Sequence, residues 1–212
     1  VLGGVDATRL SKGPLARAET FDRILFNFPL LPLSALKPRI GATDVQIANR
    51  AMLVEFLRAA APLLRQDGLL MIANKDCYPY SWWRLESLPQ WAGGKLAFVG
   101  AVPWQYTEYP SLYSGPCNVN RDASVKPTDA VIFMFAHSDS KRFRLAVQSA
   151  RAGAFRGDPA RPLREPGPFQ CTLCHISTLT EADLRVHEAG KIHRKRASLE
   201  KRWEDALSRA AS

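Results

Sequence analysis

The sequence predicts an α/β body with a mostly parallel sheet, followed by a small module rich in cysteine and histidine and by a C-terminal helix. Short apolar runs of strand length alternate with stretches of helical periodicity, which is typical of an α/β layer. A Cys-x-x-Cys unit followed by two histidines separates the last part of the chain from this body. At 212 residues, the chain is long enough for one full hydrophobic core and a small additional module.

The first part of the body is predicted to contain one strong strand. Residues 1–8 are typical of a strand end that runs into a loop. The run FDRILFNF (Phe21–Phe28) is nearly continuous in apolar residues and is closed by Pro29, a pattern typical of a strand buried on both faces. Residues 30–43 are rich in proline and glycine and are predicted to form a loop.

A long helix and a second strand follow. Apolar residues recur at helical spacing from Asp44 to Leu64, with Thr43 or Asp44 as the N-terminal cap and Asp67-Gly68 as the end of the element. The apolar run Gly68–Ala73 predicts another buried strand.

The remaining body is predicted to contain a helix, two strands and a long loop. The helix is expected at Ser81–Trp91, and the strands at Lys95–Val102 and Asp129–Ala136. Trp82, Trp83 and Trp91 are interpreted as core residues more readily than as base-stacking residues. The loop from Trp104 to Asp129 has many turn formers, and loops of that length are usually functional or bound to a partner.

Basic residues are concentrated in the last third of the chain. Residues 1–140 contain 14 Lys and Arg against 12 Asp and Glu, whereas residues 141–212 contain 15 against 8. Such a local excess indicates a polyanionic partner, most often nucleic acid, although a solvated basic tail has the same pattern. Residues 141–157 are predicted to form a short basic helix, and four prolines make residues 157–168 a stiff linker.

Some classes of protein are disfavoured. Cys77 and Cys117 show no recurring spacing, so we interpret them as free thiols in a reducing compartment. No run approaches the ~20 apolar residues of a membrane span, and no membrane partner is expected.

The strongest motif is a set of two cysteines and two histidines with the spacing Cys171-x2-Cys174-x12-His187-x5-His193. A Cys-x-x-Cys turn offers two thiolates and a helix offers two imidazoles, which is the tetrahedral set that zinc prefers. Phe169 and Leu184 stand where a small finger needs core residues. Since about 28 residues cannot bury a core alone, metal binding is expected to supply the folding energy.

The end of this motif resembles a known group of fingers. The segment from His187 to Arg196, with Gly190-Lys191 before the second histidine, is similar to the HxxGKxH ending of matrin-type and double-stranded-RNA-binding zinc fingers. This resemblance implies binding to structured RNA, although a finger used for protein contact is the alternative. Basic residues expected to meet RNA phosphates are Lys191, Arg194, Lys195 and Arg196, with Lys141, Arg142 and Arg144 upstream.

A final helix is predicted after the finger. Its apolar stripe, which can dock on this protein or on a neighbour, consists of Leu199, Trp203, Ala206, Leu207 and Ala210.

The body also carries a set of recognisable segments, namely VDAT (Val5–Thr8), FDRILFNFP (Phe21–Pro29), GLLMIANK (Gly68–Lys75), NVNRD (118–122) and PTDA (127–130). Together they resemble the ribosomal-RNA uridine N-methyltransferase-like group of Rossmann-type enzymes. The resemblance implies that Asp6 lies near the adenine of S-adenosylmethionine. It also implies that the Asn27-x-Pro29 turn faces the target base, since ligands collect at the carboxyl ends of strands in such sheets. The structural alternatives are that Asp6 only caps a turn and that Pro29 only ends a strand.

Two departures from that group weigh against catalysis. Gly3-Gly4 is not the G-x-G-x-x-G cofactor loop, and no later segment qualifies. In addition, Leu30-Leu31-Pro32 stands where the group usually has a histidine and a nearby glycine. We therefore expect a partial Rossmann-like methyltransferase domain whose binding of S-adenosylmethionine is in doubt, and we favour a non-enzymatic role.

These patterns predict four segments: a methyltransferase-like domain (1–140), a basic linker (141–168), a ββα-type zinc finger (169–196) and a C-terminal helix (197–212). The first hypothesis is an RNA-binding component or assembly factor of a ribosome or ribonucleoprotein, with ribosomal RNA and ribosomal proteins as partners. The alternatives are an active S-adenosylmethionine-dependent uridine N-methyltransferase and a protein-docking module. High Arg and Ala content, a first residue other than Met and the ribosomal-RNA resemblance predict a mitochondrial location, with a nucleolar location as the alternative.

Overall fold

The computed structural model describes residues 3–12, 15, 20–31, 44–77, 79–105, 116–118, 121–124, 130–151, 167–174 and 176–211. The chain forms two compact units: unit 1 comprises Val1–Leu30 and Met52–Asp158, and unit 2 comprises Leu31–Ala51 and Pro159–Ser212. The segment boundaries expected from the sequence stay predictions.

Unit 1 is built on a mixed sheet. Its strands, in chain order, are β1 (Phe21–Asn27), β2 (Leu64–Lys75), β3 (Leu96–Pro103), β4 (Pro116–Asn118), β5 (Arg121–Ser124) and β6 (Ala130–His137). Four of them form one sheet in the order β1–β2–β6–β3, while β4 and β5 pair with each other. β1 runs parallel to β2, whereas β6 runs antiparallel to both of its neighbours. The predictions of strands at β1, β2, β3 and β6 are therefore confirmed, although the reversed β6 makes the sheet mixed.

The first strand differs from its predicted environment. β1 was expected to be buried on both faces, but Phe21 is 38% exposed and Leu25 is 49% exposed. The reason is that β1 lies at one edge of the four-stranded sheet. One face is still covered, because the ring of Phe26 packs 4.6 Å from that of Phe56. The apolar run therefore indicated a strand correctly and its burial wrongly.

The long helix α1 (Val45–Ala60) is confirmed, and it begins as predicted. The carboxylate of Asp44 accepts a hydrogen bond of 2.8 Å from the backbone N–H of Gln46, which caps the first turn. The helix ends earlier than expected, in a short 3-10 turn that contains Pro62. Asp67-Gly68 therefore lies inside β2, where the register with β1 shifts, and does not end the helix.

The predicted helix Ser81–Trp91 is wrong. The segment forms two 3-10 turns, Tyr80–Trp83 and Leu85–Ser87, and the single-turn helix α2 (Leu88–Trp91). Arg84 separates the two turns with a left-handed φ of 51°, which no α-helix accommodates. Trp82 and Trp83 are buried, so their interpretation as core residues is confirmed, and Trp91 is half-buried.

The helix expected after residue 140 is confirmed as α3 (Lys141–Arg151). Most of the predicted loops at 30–43 and 104–129 and most of the linker at 157–168 lie outside the described residues. Among the described helices, none combines the length and the apolar character that a membrane span requires.

Unit 2 contains a small ββα arrangement and a long helix. Its elements beyond residue 167 are β7 (Phe169–Cys171), β8 (Ile176–Thr178), α4 (Glu181–Ala189) and α5 (Lys191–Ala211). β7 and β8 form an antiparallel hairpin. α5 runs without a break for 21 residues, so the boundary expected between residues 196 and 197 falls inside a continuous helix.

The apolar stripe of α5 docks within its own unit, a question that the sequence left open. Leu199, Trp203 and Ala206 are buried, whereas Leu207 is half-buried and Ala210 is exposed. Three contacts join α5 to the beginning of α1. Arg50 and Glu200 form a bidentate pair with N–O distances of 2.7 and 3.0 Å, and the Arg50 guanidinium lies 5.2 Å from the ring centre of Trp203. Asp44 and Arg202 form an ion pair of 2.8 Å.

Candidate metal centre and nucleic-acid interface

The four predicted metal ligands of unit 2 converge, and their ligand atoms all lie within 4.8 Å of one another. Cys171 ends β7, and Cys174 follows in the turn before β8. His187 lies in the last turn of α4 and His193 in the first turn of α5. Cys171 is buried and the other three residues are half-buried. This group can hold a metal ion.

The distances from His193 to the other three candidate ligands fit a tetrahedral ion. Nδ1 of His193 lies 3.5 Å from Sγ of Cys171, 3.7 Å from Sγ of Cys174 and 3.2 Å from Nε2 of His187. A tetrahedral zinc ion with its usual bond lengths places sulfur and nitrogen about 3.6 Å apart and two nitrogens about 3.3 Å apart. The three separations from His193 are therefore those expected around one ion, with His187 offering Nε2 and His193 offering Nδ1.

A glycine between the two helices allows the histidines to meet. Gly190 ends α4, and its backbone N–H donates to the carbonyl oxygen of His187 at 2.9 Å. A Cβ at this position would lie 2.8 Å from that same oxygen, closer than real side chains approach. The chain can therefore turn directly from α4 into α5, which brings His193 back to His187.

The helix that carries His187 has a well-formed beginning. The hydroxyl of Thr180 accepts a hydrogen bond of 3.1 Å from the backbone N–H of Asp183 and donates one of 2.7 Å to its carboxylate. This arrangement satisfies an N-terminal donor of α4, as capping residues do. The apolar residues Phe169 and Leu184 are only half-buried, which fits a module that needs a metal ion for stability.

The environment of Cys174 also bears on metal binding. Burial raises the pKa of the Cys174 thiol, and neighbouring Cys171 raises this pKa further, whereas the hydrogen-bonded guanidinium of Arg196 lowers it. A metal ion requires the thiolate, so binding releases a proton and becomes stronger as the pH rises. Arg196 supports the thiolate from outside the ligand set, as groups around a metal site often do.

The predicted RNA-contacting residues of the finger differ in exposure. Lys191, Arg194 and Lys195 are exposed on the first turns of α5. Arg196 is buried, with only 7% of its surface exposed, and its guanidinium interacts with Cys174. Burial therefore separates Arg196 from the exposed basic surface, and we assign it a supporting position beside the metal ligands.

The upstream basic residues lie in unit 1, at the beginning of α3. Lys141, Arg142 and Arg144 are all exposed. Two of them also form hydrogen bonds to the backbone. Nε of Arg142 donates to the carbonyl oxygen of Asp67 at 2.6 Å, and Nη1 of Arg144 donates to the carbonyl oxygen of Asp139 at 2.8 Å. Their contact with RNA stays a prediction.

The proposed cofactor residue Asp6 lies in an exposed turn. Its Oδ1 accepts hydrogen bonds from the backbone N–H of Thr8 at 2.9 Å and from the Thr8 hydroxyl at 2.7 Å. These bonds cap the 3-10 turn Ala7–Lys12, which matches the structural alternative. Contact between Asp6 and a cofactor stays a prediction.

The carboxyl end of β1 has a strained turn. Asn27 is the last, exposed residue of the strand, and Phe28 follows with a left-handed φ of 47°. This conformation costs a residue with a side chain about 1–2 kcal/mol. Two contacts stabilise this conformation of Phe28. Its backbone N–H donates to the carbonyl oxygen of Ala73 at 2.8 Å, and its ring packs edge-on with its centre 5.4 Å from that of the Trp104 ring. The turn buries Pro29 and leaves Asn27 at the edge of the sheet.

A buried asparagine at the carboxyl end of the neighbouring strand β2 was missed by sequence reasoning. Asn74 is 2% exposed and follows Ala73, the residue in register with Asn27 on the parallel strand β2. Among the residues that the structure describes, none hydrogen-bonds with Nδ2 of Asn74. A buried amide without a partner is rare. The available signal was a polar side chain inside the apolar run GLLMIANK.

Comparison with known proteins points in the same direction as the resemblance of the body. Residues 1–114, more than half of this chain, match a family described as "BMT5-like: rRNA (uridine-N3-)-methyltransferase BTM5-like". The chain is 32% identical over 110 residues to "Heavy metal-associated isoprenylated plant protein 41" from Arabidopsis thaliana, covering 52% of this chain and 20% of that protein. It is 28% identical over 106 residues to "Uncharacterized protein At4g26485" from the same organism, covering 50% of this chain and 49% of that protein. The matched segments thus span half or less of the length of these relatives.

Proposed function

This chain belongs to the BMT5-like family of rRNA (uridine-N3-)-methyltransferases, and from that premise we propose that it is an RNA-binding component or assembly factor of a ribosome or ribonucleoprotein. In this role the sheet of unit 1 is a partial Rossmann-like methyltransferase domain that serves as a scaffold. The matrin-type finger of unit 2 binds zinc and contacts structured ribosomal RNA. Ribosomal proteins are the further partners, and we propose a mitochondrial location, with the nucleolus as the alternative.

The observation that carries this proposal is the exposed cationic end of the finger, beside the metal site. Lys191 and Arg194 occupy the first turn of α5, where acidic residues are lacking. The N-terminal end of a helix has a partial positive charge, so cations there are unfavourable by about 0.3–1 kcal/mol each. That same end attracts phosphate groups, which makes the arrangement costly in the free protein and favourable in a complex with RNA.

We predict that removing these cations weakens RNA binding. Replacing Lys191, Arg194 and Lys195 with glutamine should lower the affinity for a ribosomal-RNA hairpin and reduce the salt slope of log K by roughly 2–3, since each phosphate contact contributes about 0.7–0.9. Fluorescence anisotropy over a series of salt concentrations measures both quantities. The matched control replaces Arg9, Arg23 and Lys95 with glutamine, which removes the same charge from exposed positions of unit 1 that are not predicted to contact RNA. An unchanged affinity and slope in the first variant would contradict the proposed role of the finger.

Active methyl transfer is the second candidate function, and the carboxyl edge of β1 and β2 supports it. Asn27, the strained Phe28 and the buried amide of Asn74 lie at the edge where ligands of α/β sheets bind. In an enzyme, S-adenosylmethionine would supply the methyl group, Asp6 would contact the cofactor, and Asn27 would face a uridine base.

We expect no measurable heat in a calorimetric titration of the zinc-loaded chain with S-adenosylmethionine, because a Gly-rich cofactor loop is lacking in the sequence. Dissociation in the micromolar range would contradict the scaffold role and favour the enzyme. In that case Asp6→Ala should weaken the binding, whereas Asp22→Ala, on an exposed residue of β1, should leave it unchanged.

A protein-docking role is the third candidate, and exposed apolar residues on unit 2 favour it. Leu179 is 81% exposed, Val186 is 73% exposed and Ile192 is 71% exposed. Exposed apolar side chains are available to a protein partner, and contiguous patches of them mark protein interfaces. Binding of a ribosomal protein that is insensitive to salt and lost in Val186→Ser would support this role over RNA contact.

A further inference from the structure

The exposed face of α5 extends the basic surface of the finger well beyond the metal site. At 100° per residue, the buried residues Leu199, Glu200 and Trp203 occupy one side of this helix. The opposite side is an arc of about 120°. Between positions 191 and 202 its residues, all exposed, are Lys191, Arg194, Lys195, Ser198, Lys201 and Arg202, and Asp205 and Arg209 continue the same arc.

We propose that these six residues form one ridge that binds the sugar-phosphate backbone of structured RNA, with Lys201 and Arg202 as contacts additional to those at the finger. We name it the α5 ridge. It is about 16 Å long, because its eleven steps each rise about 1.5 Å. Each of its turns presents one or two cations except the turn of Ser198, and Asp205 ends the basic stretch on the same face. The inference rests on the proposed function, since it extends the RNA contact already assigned to Lys191, Arg194 and Lys195.

The contacts on the other side of the helix make the ridge a fixed surface. The bidentate pair of Arg50 with Glu200 and the burial of Trp203 attach α5 to the start of α1 within unit 2. Arg202 additionally pairs with Asp44 at 2.8 Å, although its side chain is still 48% exposed. A helix held in this way presents its cations without a backbone ordering cost at the moment of binding.

The chemistry of the ridge favours a phosphate backbone over other anionic partners. Its arc contains no apolar or aromatic side chain, so it lacks the groups that insert into a membrane or stack on bases. Lysine and arginine that meet phosphates determine position and carry little sequence information. The ridge should therefore bind RNA duplexes of different sequence with similar affinity.

Charge reversal within the ridge tests this inference on the full zinc-loaded chain. Lys201→Glu should weaken binding to a fluorescent RNA duplex severalfold and lower the salt slope by about 0.9 or more. Ser198→Asp places a negative charge in the middle of the ridge and should act in the same direction. The matched control is Lys95→Glu, an equal charge change at an exposed position of unit 1. Lys201→Gln is the milder variant if Lys201→Glu does not keep its zinc and its helical circular dichroism.

The outcomes separate the ridge from the finger. Losses in Lys201→Glu and Ser198→Asp that exceed the loss in Lys95→Glu, and are equal for two duplexes of unrelated sequence, support the ridge. If Lys191→Glu weakens binding while Lys201→Glu and Ser198→Asp bind like the wild-type chain, the extension of the RNA contact to the α5 ridge is wrong and the proposed function stands. If the wild-type chain binds no RNA, or binds phosphatidylserine vesicles through Lys201 instead, the ridge and the proposed function are both overturned.

Discussion

Replacing Cys174 with serine should abolish stoichiometric zinc binding and unfold the finger. Cys174 supplies one of four candidate ligand atoms, its Sγ lies 3.7 Å from Nδ1 of His193 as around a tetrahedral ion, and serine is a poor zinc ligand. Structural zinc contributes about 10–16 kcal/mol to the folding of small fingers at neutral pH, and the half-buried Phe169 and Leu184 cannot replace that contribution. We expect close to one zinc per wild-type chain by elemental analysis and far less in the variant. We also expect the variant to lose part of its helical circular dichroism.

The chain offers a matched control for this experiment. Cys77 is a half-buried free thiol in unit 1, so Cys77→Ser makes the same atomic change away from the metal ligands. It should keep its zinc and its helix content. Chelation of the wild-type chain should reproduce the effect of Cys174→Ser. A Cys174→Ser chain that retains one zinc and resists proteolysis between residues 169 and 196 would show that the four residues are not a structural metal site.

The convergence of the four candidate metal ligands could be predicted from the sequence because its information is local. The candidate ligands come from a turn, the short helix α4 and the start of the long helix α5, within 23 residues. Each supporting feature has its own signal, such as Thr180 as a cap and Gly190 as the turn between the helices. The strands β1, β2, β3 and β6 were predictable for the same reason, since a short apolar run bounded by turn residues indicates a strand wherever it later pairs.

Other features depend on the environment and could not be read from a single segment. The apolar run of β1 did not indicate that the strand lies at an edge of the sheet, which left Leu25 exposed. The sequence predicted a helix over Ser81–Trp91, but the left-handed Arg84 divides that segment. Burial of Arg196 was likewise hidden, because its position in a basic run indicated a solvated side chain.

The pairing of Arg50 with Glu200 is the clearest case of hidden information, because the two residues are 150 positions apart. In the sequence each is an ordinary charged residue on a helix. In the structure Arg50 is buried, and both of its terminal nitrogens donate to the Glu200 carboxylate. Neither helix alone indicates that a charge on one is neutralised by the other.

Replacing Glu200 with alanine should therefore destabilise the chain strongly. The guanidinium of Arg50 would stay buried without its counter-charge, and breaking a buried pair on one side lowers the free energy of unfolding by about 3–5 kcal/mol. Urea unfolding followed by tryptophan fluorescence and circular dichroism measures this loss. Glu204→Ala is the matched control, because Glu204 is exposed one turn further along α5, and it should change stability by less than about 0.5 kcal/mol.

A double replacement distinguishes the cost of the unpaired charge from the loss of packing. Arg50→Met combined with Glu200→Leu removes both charges and keeps apolar volume, so its stability should return close to that of the wild-type chain. Equal losses in Glu200→Ala and Glu204→Ala would contradict the buried pair.

The pair of Arg50 with Glu200 also affects RNA binding, since it attaches α5 through the side opposite the α5 ridge. Glu200→Ala should then weaken RNA binding although it removes a negative charge, which is the reverse of what simple electrostatics predicts.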